Sequence, residues 1–398
     1  MGLDSEKIER NAKISFLLVA GIMLFASNLR VPITSIGSLV PVIRDNLEVS
    51  SSIMGSISTL PLLAFAFVSP FVPKLANRIG MEKTIFLAMM LLGLGIVVRS
   101  ANGISTLFIG TALIGITIAF GNVLLPGLIK MRFPFKVGLM TGLYTIFMNI
   151  FGALASGVSV PLSNIGGFGW RVSLGIWVTL ILIAIIFWYP QVRNPQPQLE
   201  LKLEQKKTKM WTSPTAWHVT IFMGFQSLMY FTPLTWLPDI LQSHGFSLSQ
   251  AGLMISVMLL GLIPVNFIIP VLADRMKNQK LLGAFTGIVF FLGSAGLFSS
   301  NLSILIISAL LIGVGCGSGY SLSMMFFTLR TKNGYEASDL SGMSQSIGYL
   351  IAATGPIAFG GFYDVTGSWT APIIVLMAIG IIIVITGVLA GRDIVIDN

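Results

Sequence analysis

Apolar segments long enough to cross a lipid bilayer recur twelve times along the chain. They cover 14–40, 50–73, 83–101, 104–128, 137–161, 169–189, 214–240, 248–272, 280–299, 302–328, 339–361 and 370–390. A bilayer core of roughly 30 Å takes about 20 helical residues. Lipid offers the backbone no hydrogen-bond partners, and the alternating pattern of a β-barrel is missing, so the segments read as helices. Composition agrees: 54% of residues are hydrophobic and 10% are charged, against about 25% charged in an ordinary soluble domain. The fold class expected is an all-α membrane protein of twelve transmembrane helices in two six-helix bundles. Cys316 is the single cysteine, which rules out an intrachain disulfide or a cysteine metal cluster. The polar start, Met1 to Lys13, leads into a segment too long for a signal-peptide core, so it reads as a retained span.

The loops fix the orientation. A net charge of +9 could suggest nucleic acid, but the charges fall on one side. The N-terminus, the even-to-odd loops and the C-terminus hold 20 of the 24 Lys and Arg residues. The remaining four are Arg30 inside a span, and Arg44, Arg99 and Arg171 at or near the other side. The positive-inside rule then places both termini in the cytoplasm of a cell-membrane protein. No nucleic-acid partner is expected. The longest polar stretch, 190–213, contains Asn194-Pro195-Gln196-Pro197-Gln198 and a charged run to Lys209. It reads as a cytoplasmic linker between an N-terminal bundle, 1–189, and a C-terminal bundle, 214–398.

The two bundles share a motif. Pro73-Lys74-Leu75-Ala76-Asn77-Arg78 aligns with Pro270-Val271-Leu272-Ala273-Asp274-Arg275 at an offset of 197 residues. The same offset pairs Ser52 with Ser249 and Gly55 with Gly252. Both copies close the second helix of a half, which indicates parallel repeats and a substrate site between them near mid-membrane.

The Pro-x-Leu-Ala-Asn/Asp-Arg element, with Gly80 and Lys83 after its first copy, resembles the loop motif of the major facilitator superfamily. That motif has Asp before Arg, and here the first copy carries Asn77 instead. Asn28-Leu29-Arg30, Gly121-Asn122-Val123-Leu124-Leu125-Pro126, Met140-Thr141-Gly142-Leu143-Tyr144 and Gln226-Ser227-Leu228 resemble the branch of cyanate and nitroimidazole permeases. The resemblance implies a small monomeric permease for anions or small polar organic solutes. It also implies gating roles for Asn77, Arg78, Asp274 and Arg275, with Asp274 and Arg275 clasping neighbours on the cytoplasmic side.

Arg30 is the one charged side chain in its apolar segment. A charge at that depth costs about 2.5–3.5 kcal/mol on insertion scales and usually marks a functional cavity. The reading competes with a structural arginine tied to helix carbonyls. Ser27, Arg30, Thr34 and Ser38 recur at helical spacing and should form one polar stripe facing that cavity. Asn122 and Tyr144 are further candidates in the first half. Gln226, Tyr230, Asn266, Tyr320, Gln345 and Tyr349 are candidates in the second. A guanidinium fork suits a carboxylate-like oxyanion, amides supply hydrogen bonds, and tyrosines supply amphipathic walls. Each amide or tyrosine has an equally ordinary use as a bond between helices.

No carboxylate falls well inside a span, so a proton, as a candidate coupling ion, would travel on the substrate or through a loop acid; otherwise transport is exchange or uniport. No Walker loop and no catalytic or metal-binding constellation is present, so neither an enzyme nor a cofactor is expected. The expected function is a secondary active or facilitative transporter of a small anion or weak organic acid, working by alternating access. Two alternatives stay open: a proton-coupled exporter of small neutral or aromatic compounds, and a receptor that binds without flux.

Overall fold

The computed structural model describes residues 2–48, 51–101, 103–165, 169–193 and 210–396. Most of the expected linker, 190–213, lies outside them. The described residues contain helices and no strand. In chain order these are α1 (Gly2–Leu47), α2 (Ser51–Val68 and Val72–Ile79), α3 (Met81–Arg99), α4 (Ile104–Arg132), α5 (Val137–Asn164), α6 (Gly169–Gly175 and Val178–Arg193), α7 (Pro214–Ser243), α8 (Leu248–Arg275), α9 (Lys280–Gly296), α10 (Leu302–Leu329), α11 (Gly334–Thr366) and α12 (Thr370–Ala390). The twelve expected segments each match one of them. The break in α2 is a 3-10 turn, Ser69–Phe71, with Pro70 inside it and Pro73 just after it; each proline removes a backbone donor.

Local chemistry sets several boundaries. The Asn301 side chain accepts from the backbone N–H of Ser303 and Ile304 at the start of α10. Ser247 and Gln250 form a reciprocal capping box on α8, which satisfies orphan donors of the first turn. Asn333 caps α11 through Glu336 N–H at 2.9 Å. This start lies earlier than the expected span, so Glu336 and Asp339 occupy the first turns of α11.

Among the described residues, nine helices are long and apolar enough to cross a membrane, and α9 is apolar but shorter. The two left out by composition, α7 and α11, carry Gln226, Tyr230, Gln345 and Tyr349, four of the candidate binding residues.

The chain divides into two compact units: Met1–Leu125 with Leu143–Lys206, and Pro126–Gly142 with Lys207–Asn398. The end of α4 and the start of α5 therefore group with the second unit. In the first unit α1 packs on α6, where Trp188 lies 3.1 Å from the space a Cβ on Gly21 would take. Phe25 meets the same ring at 6.4 Å. A cluster of Ile36, Leu39, Ile43, Met54, Ile57, Leu107, Trp170 and Leu174 closes one end of that unit.

Both units use glycines for close helix approach, as membrane helices do where apolar surface alone drives no association. The contacts repeat. Gly95 of α3 lies against Leu113 and Ile114 of α4, and Gly293 of α9 lies against Leu311 and Ile312 of α10. Gly115 sits under Pro61, and Gly313 sits under Met258. The sequence repeat is thus a repeat of internal packing.

Candidate functional site

The faces of α1 are distinguished by what they touch. Leu29 and Phe25 press on Gly121 of α4. Arg30 and Thr34 lie on Gly152 of α5: the Arg30 Cγ is 2.6 Å from a notional Gly152 Cβ. Thr34 Oγ1 donates to the Gly152 carbonyl at 2.8 Å, and Ser38 Oγ to the Ser156 carbonyl at 2.9 Å. Ile33 is half-buried and Gly37 exposed, so the open side of the helix lies between the α4 and α5 contacts. Half-buried Arg30 stands at the edge of that open side.

This corrects the expectation of a four-residue stripe facing a cavity. Thr34 and Ser38 are bonded to α5, and Ser27 is buried, donating to the Met23 carbonyl at 2.9 Å. The small residues of α5 bring its carbonyls within reach of short hydroxyls.

Tyr144 and Met148 precede Gly152 on α5 at four-residue steps, hence on one face. Both are buried. Asn122, half-buried, follows Gly121 on α4. Arg30, Asn122 and Tyr144 thus belong to the three helices that meet around the open side of α1.

In the second unit, one turn of α10 gathers three candidates. The Gln226 Cβ lies 3.0 Å from a notional Cβ on Gly319. Ser321 Oγ donates to Asn266 Oδ1 at 2.9 Å, and half-buried Tyr320 lies between. Gln226 is buried, its amide nitrogen donating to Ser227 Oγ at 2.8 Å. Tyr230 is half-buried and meets Phe231 edge-on at 5.1 Å. Gln345 and Tyr349 follow the residues by which α11 touches α7: Thr220 bonds Ser344 at 3.0 Å, and Gly224 and Gly348 are in close contact. The Gln345 amide donates to Ser341 Oγ at 2.8 Å.

The four residues given gating roles behave differently from one another. Asn77 is half-buried, and its Oδ1 has no hydrogen-bond partner among the described residues. Arg78, Asp274 and Arg275 are exposed. Asp274 packs its Cβ on Gly138, and among the described residues neither it nor Arg275 forms a salt bridge.

Three basic residues outside the list of site candidates do structural work: Lys130 and Arg330, counted in the sequence only toward orientation, and Arg99, placed near the opposite side. The Lys130 amine donates to the carbonyls of Thr328, in the last turn of α10, and Thr331, just past its end. Arg330 is 1% exposed and donates to Gln279 Oε1. The Gln279 amide caps α8 through the carbonyls of Ala273 and Met276 at 3.0 and 2.9 Å. Burial lowers the Arg330 pKa to about 10, with Asp393 opposing the shift, so the group stays cationic at neutral pH. The third, Arg99, is also 1% exposed and donates to the Pro32 carbonyl at 2.6 Å.

Twelve helices in two units with matching internal packing, most of them long and apolar enough to cross a membrane, define a multi-pass membrane protein. The chain belongs to the Major Facilitator Superfamily, whose family match covers residues 16–352 and 235–393; it is a membrane transporter, not an enzyme. It is 45% identical to the uncharacterized transporter YycB of Bacillus subtilis over 96% of each chain. It is 39% identical to the 2-nitroimidazole transporter of Escherichia coli, over 96% of this chain and 97% of that one. The cyanate transport protein CynX of Escherichia coli is 22% identical, over 87% of this chain and 90% of its own. Among solved structures, the proton:xylose symporter XylE matches with a TM-score of 0.69 at 16% identity, over 94% of each chain. The transporter FucP matches at 0.71 and 11%, over 93% of this chain and 98% of its own. Those two likenesses concern the fold.

Proposed function

We propose that the protein carries a small anion or weak organic acid by alternating access, as a monomer in the cell membrane, with Arg30 as the positive centre of its site. The observation that carries this reading is the placement of Arg30. It is half-buried at the edge of the open side of α1, with its stem packed on Gly152 of α5. A guanidinium there offers planar, bidentate recognition.

Asn122 and Tyr144 are the companions assigned in the first unit, and Gln226, Tyr230, Asn266, Tyr320, Gln345 and Tyr349 those in the second. Asn77, Arg78, Asp274 and Arg275 are assigned to gating. The relatives support the substrate class. Cyanate is a small anion, and 2-nitroimidazole carries an acidic ring N–H whose conjugate base is small, planar and delocalised. A weak acid that enters protonated and leaves ionised brings its own proton, which suits spans poor in carboxylates.

The test is uptake of cyanate, 2-nitroimidazole and benzoate into proteoliposomes. Arg30→Ala should lower kcat/KM for the transported anion by about tenfold or more, the loss of one charge-assisted contact. Arg30→Lys should retain part of it. Equal transport by the wild type and both variants would remove Arg30 from the site. A neutral nitroaromatic carried normally by Arg30→Ala would favour the exporter reading instead. A folded wild type that moves none of the three would exclude this substrate class.

A further inference from the structure

Arg99 ends α3, and its side chain is 1% exposed. One nitrogen, Nη1, donates to the Pro32 carbonyl of α1 at 2.6 Å, while Nε and Nη2 have no hydrogen-bond partner among the described residues. The residue is fixed at its root as well. A Cβ on Gly110 of α4 would stand only 2.5 Å from the Arg99 Cα, so α4 lies directly on that backbone.

As a stability device this is a poor one. Taking a guanidinium out of water is costly unless its donors are met, and a single carbonyl meets one. A purely structural tie to that carbonyl could come from a neutral amide or hydroxyl.

The place of the contact gives it a purpose. Pro32 lacks the N–H that would otherwise bond the carbonyl of Asn28, so α1 has a gap in its ladder across residues 28 to 32. Proline sites of this kind are where helices bend. Arg30 occupies the middle of that turn. On one face of α1, Arg30 and Thr34 lie against Gly152 of α5. Pro32 stands two residues from each of them, hence on the far side of the helix, and there Arg99 holds it. The turn bearing Arg30 is gripped from opposite sides just where its own hydrogen bonding is incomplete.

We infer that Arg99 is a positioning residue for anion transport: it sets the bend and rotation of α1 at Pro32 and thereby the aim of the Arg30 guanidinium. The inference rests on the reading of Arg30 as the binding cation. A small change in aim matters because misplacement by about 1 Å from a distant mutation can cost about a hundredfold in rate.

The test uses full-length protein in proteoliposomes with cyanate and 2-nitroimidazole. Arg99→Leu should raise KM for the transported anion by about tenfold with kcat nearly unchanged, and should leave the unfolding midpoint close to that of the wild type. Arg99→Lys, which keeps a cationic donor, should restore most of the affinity.

A second readout follows position 30 without transport. In a Cys316→Ser background, Arg30→Cys is labelled with a small methanethiosulfonate, and Arg99→Leu should change the labelling rate by about fivefold or more through altered access. Unchanged KM together with an unchanged labelling rate in Arg99→Leu overturns the inference. If Arg99→Leu does not fold, Arg99→Gln takes its place, with the same two results deciding. Normal transport by Arg30→Ala would mark failure of the underlying reading. Loss of transport in Arg30→Ala beside an indifferent Arg99→Leu would mark failure of this inference alone.

Discussion

At Gly152 the contact between α1 and α5 leaves no room for a side chain. An added Cβ would stand 2.6 Å from the Arg30 Cγ and 3.7 Å from the Thr34 methyl. Gly152→Val should therefore push Arg30 off its seat. Transport of the cognate anion should fall by about tenfold or more, with a normal size-exclusion profile. Gly157, also on α5, has no neighbour within 4 Å of its notional Cβ, so Gly157→Ala is the matched control and should transport as the wild type does. Arg30 could be singled out from sequence because a charge in the middle of an apolar run has few explanations. Thr34 and Ser38 could not be assigned, since helical spacing gives a shared face but not what that face meets. Arg99 was hidden for another reason: at the end of a span, an arginine reads as one that snorkels outward. Only coordinates show it turning inward to the Pro32 carbonyl.

Helix ends carry the next level of information. The Lys130 amine sits on the carbonyls at and just past the end of α10, where a cation opposes the negative end of the helix dipole. Glu336, in the first turn of α11, is close enough to act on its charge. Gly127 and Gly334 let the end of α4 and the start of α11 come together at backbone distance. Lys130→Met removes the cap and leaves the packing. Destabilisation of about 1–2 kcal/mol is expected, read as a lower unfolding midpoint in detergent, and Lys130→Arg should recover most of it. An unmoved midpoint in Lys130→Met would show that water replaces the amine without loss. The sequence marked Lys130 only as one of many basic loop residues. Its partner carbonyls lie about two hundred residues away and leave no local signature. Most of the helices were legible to within a few residues, because apolar length is a local property; α1 was not, running Gly2–Leu47 against an expected 14–40, since helix can continue into polar sequence that carries no apolar signal. The exceptions have local causes too: prolines broke α2, and the Asn333 cap drew the start of α11 forward past Glu336.

For the whole molecule, the repeat and the charge asymmetry make one joint prediction. Parallel repeats of six helices each return the chain to the side on which it began, so both termini must share a compartment. With 20 basic residues on that side, the compartment predicted is the cytoplasm, because lysine and arginine in short loops resist translocation. The α7–α8 connection, which turns at Gly245 with φ 89°, is then expected on the opposite face. Alkaline phosphatase fused after Gly245 should be active and a fluorescent protein there dark, whereas fusions after Ile396 should give the reverse. The second position is well chosen structurally: Ile396 N–H donates to the Arg330 carbonyl at 2.8 Å, so the chain is still held to the end of α10 where the reporter begins. An active phosphatase after Ile396 would invert the molecule in the membrane. The internal packing repeat would be untouched by that result, since Gly95 on Ile114 and Gly293 on Ile312 are indifferent to which way the membrane lies.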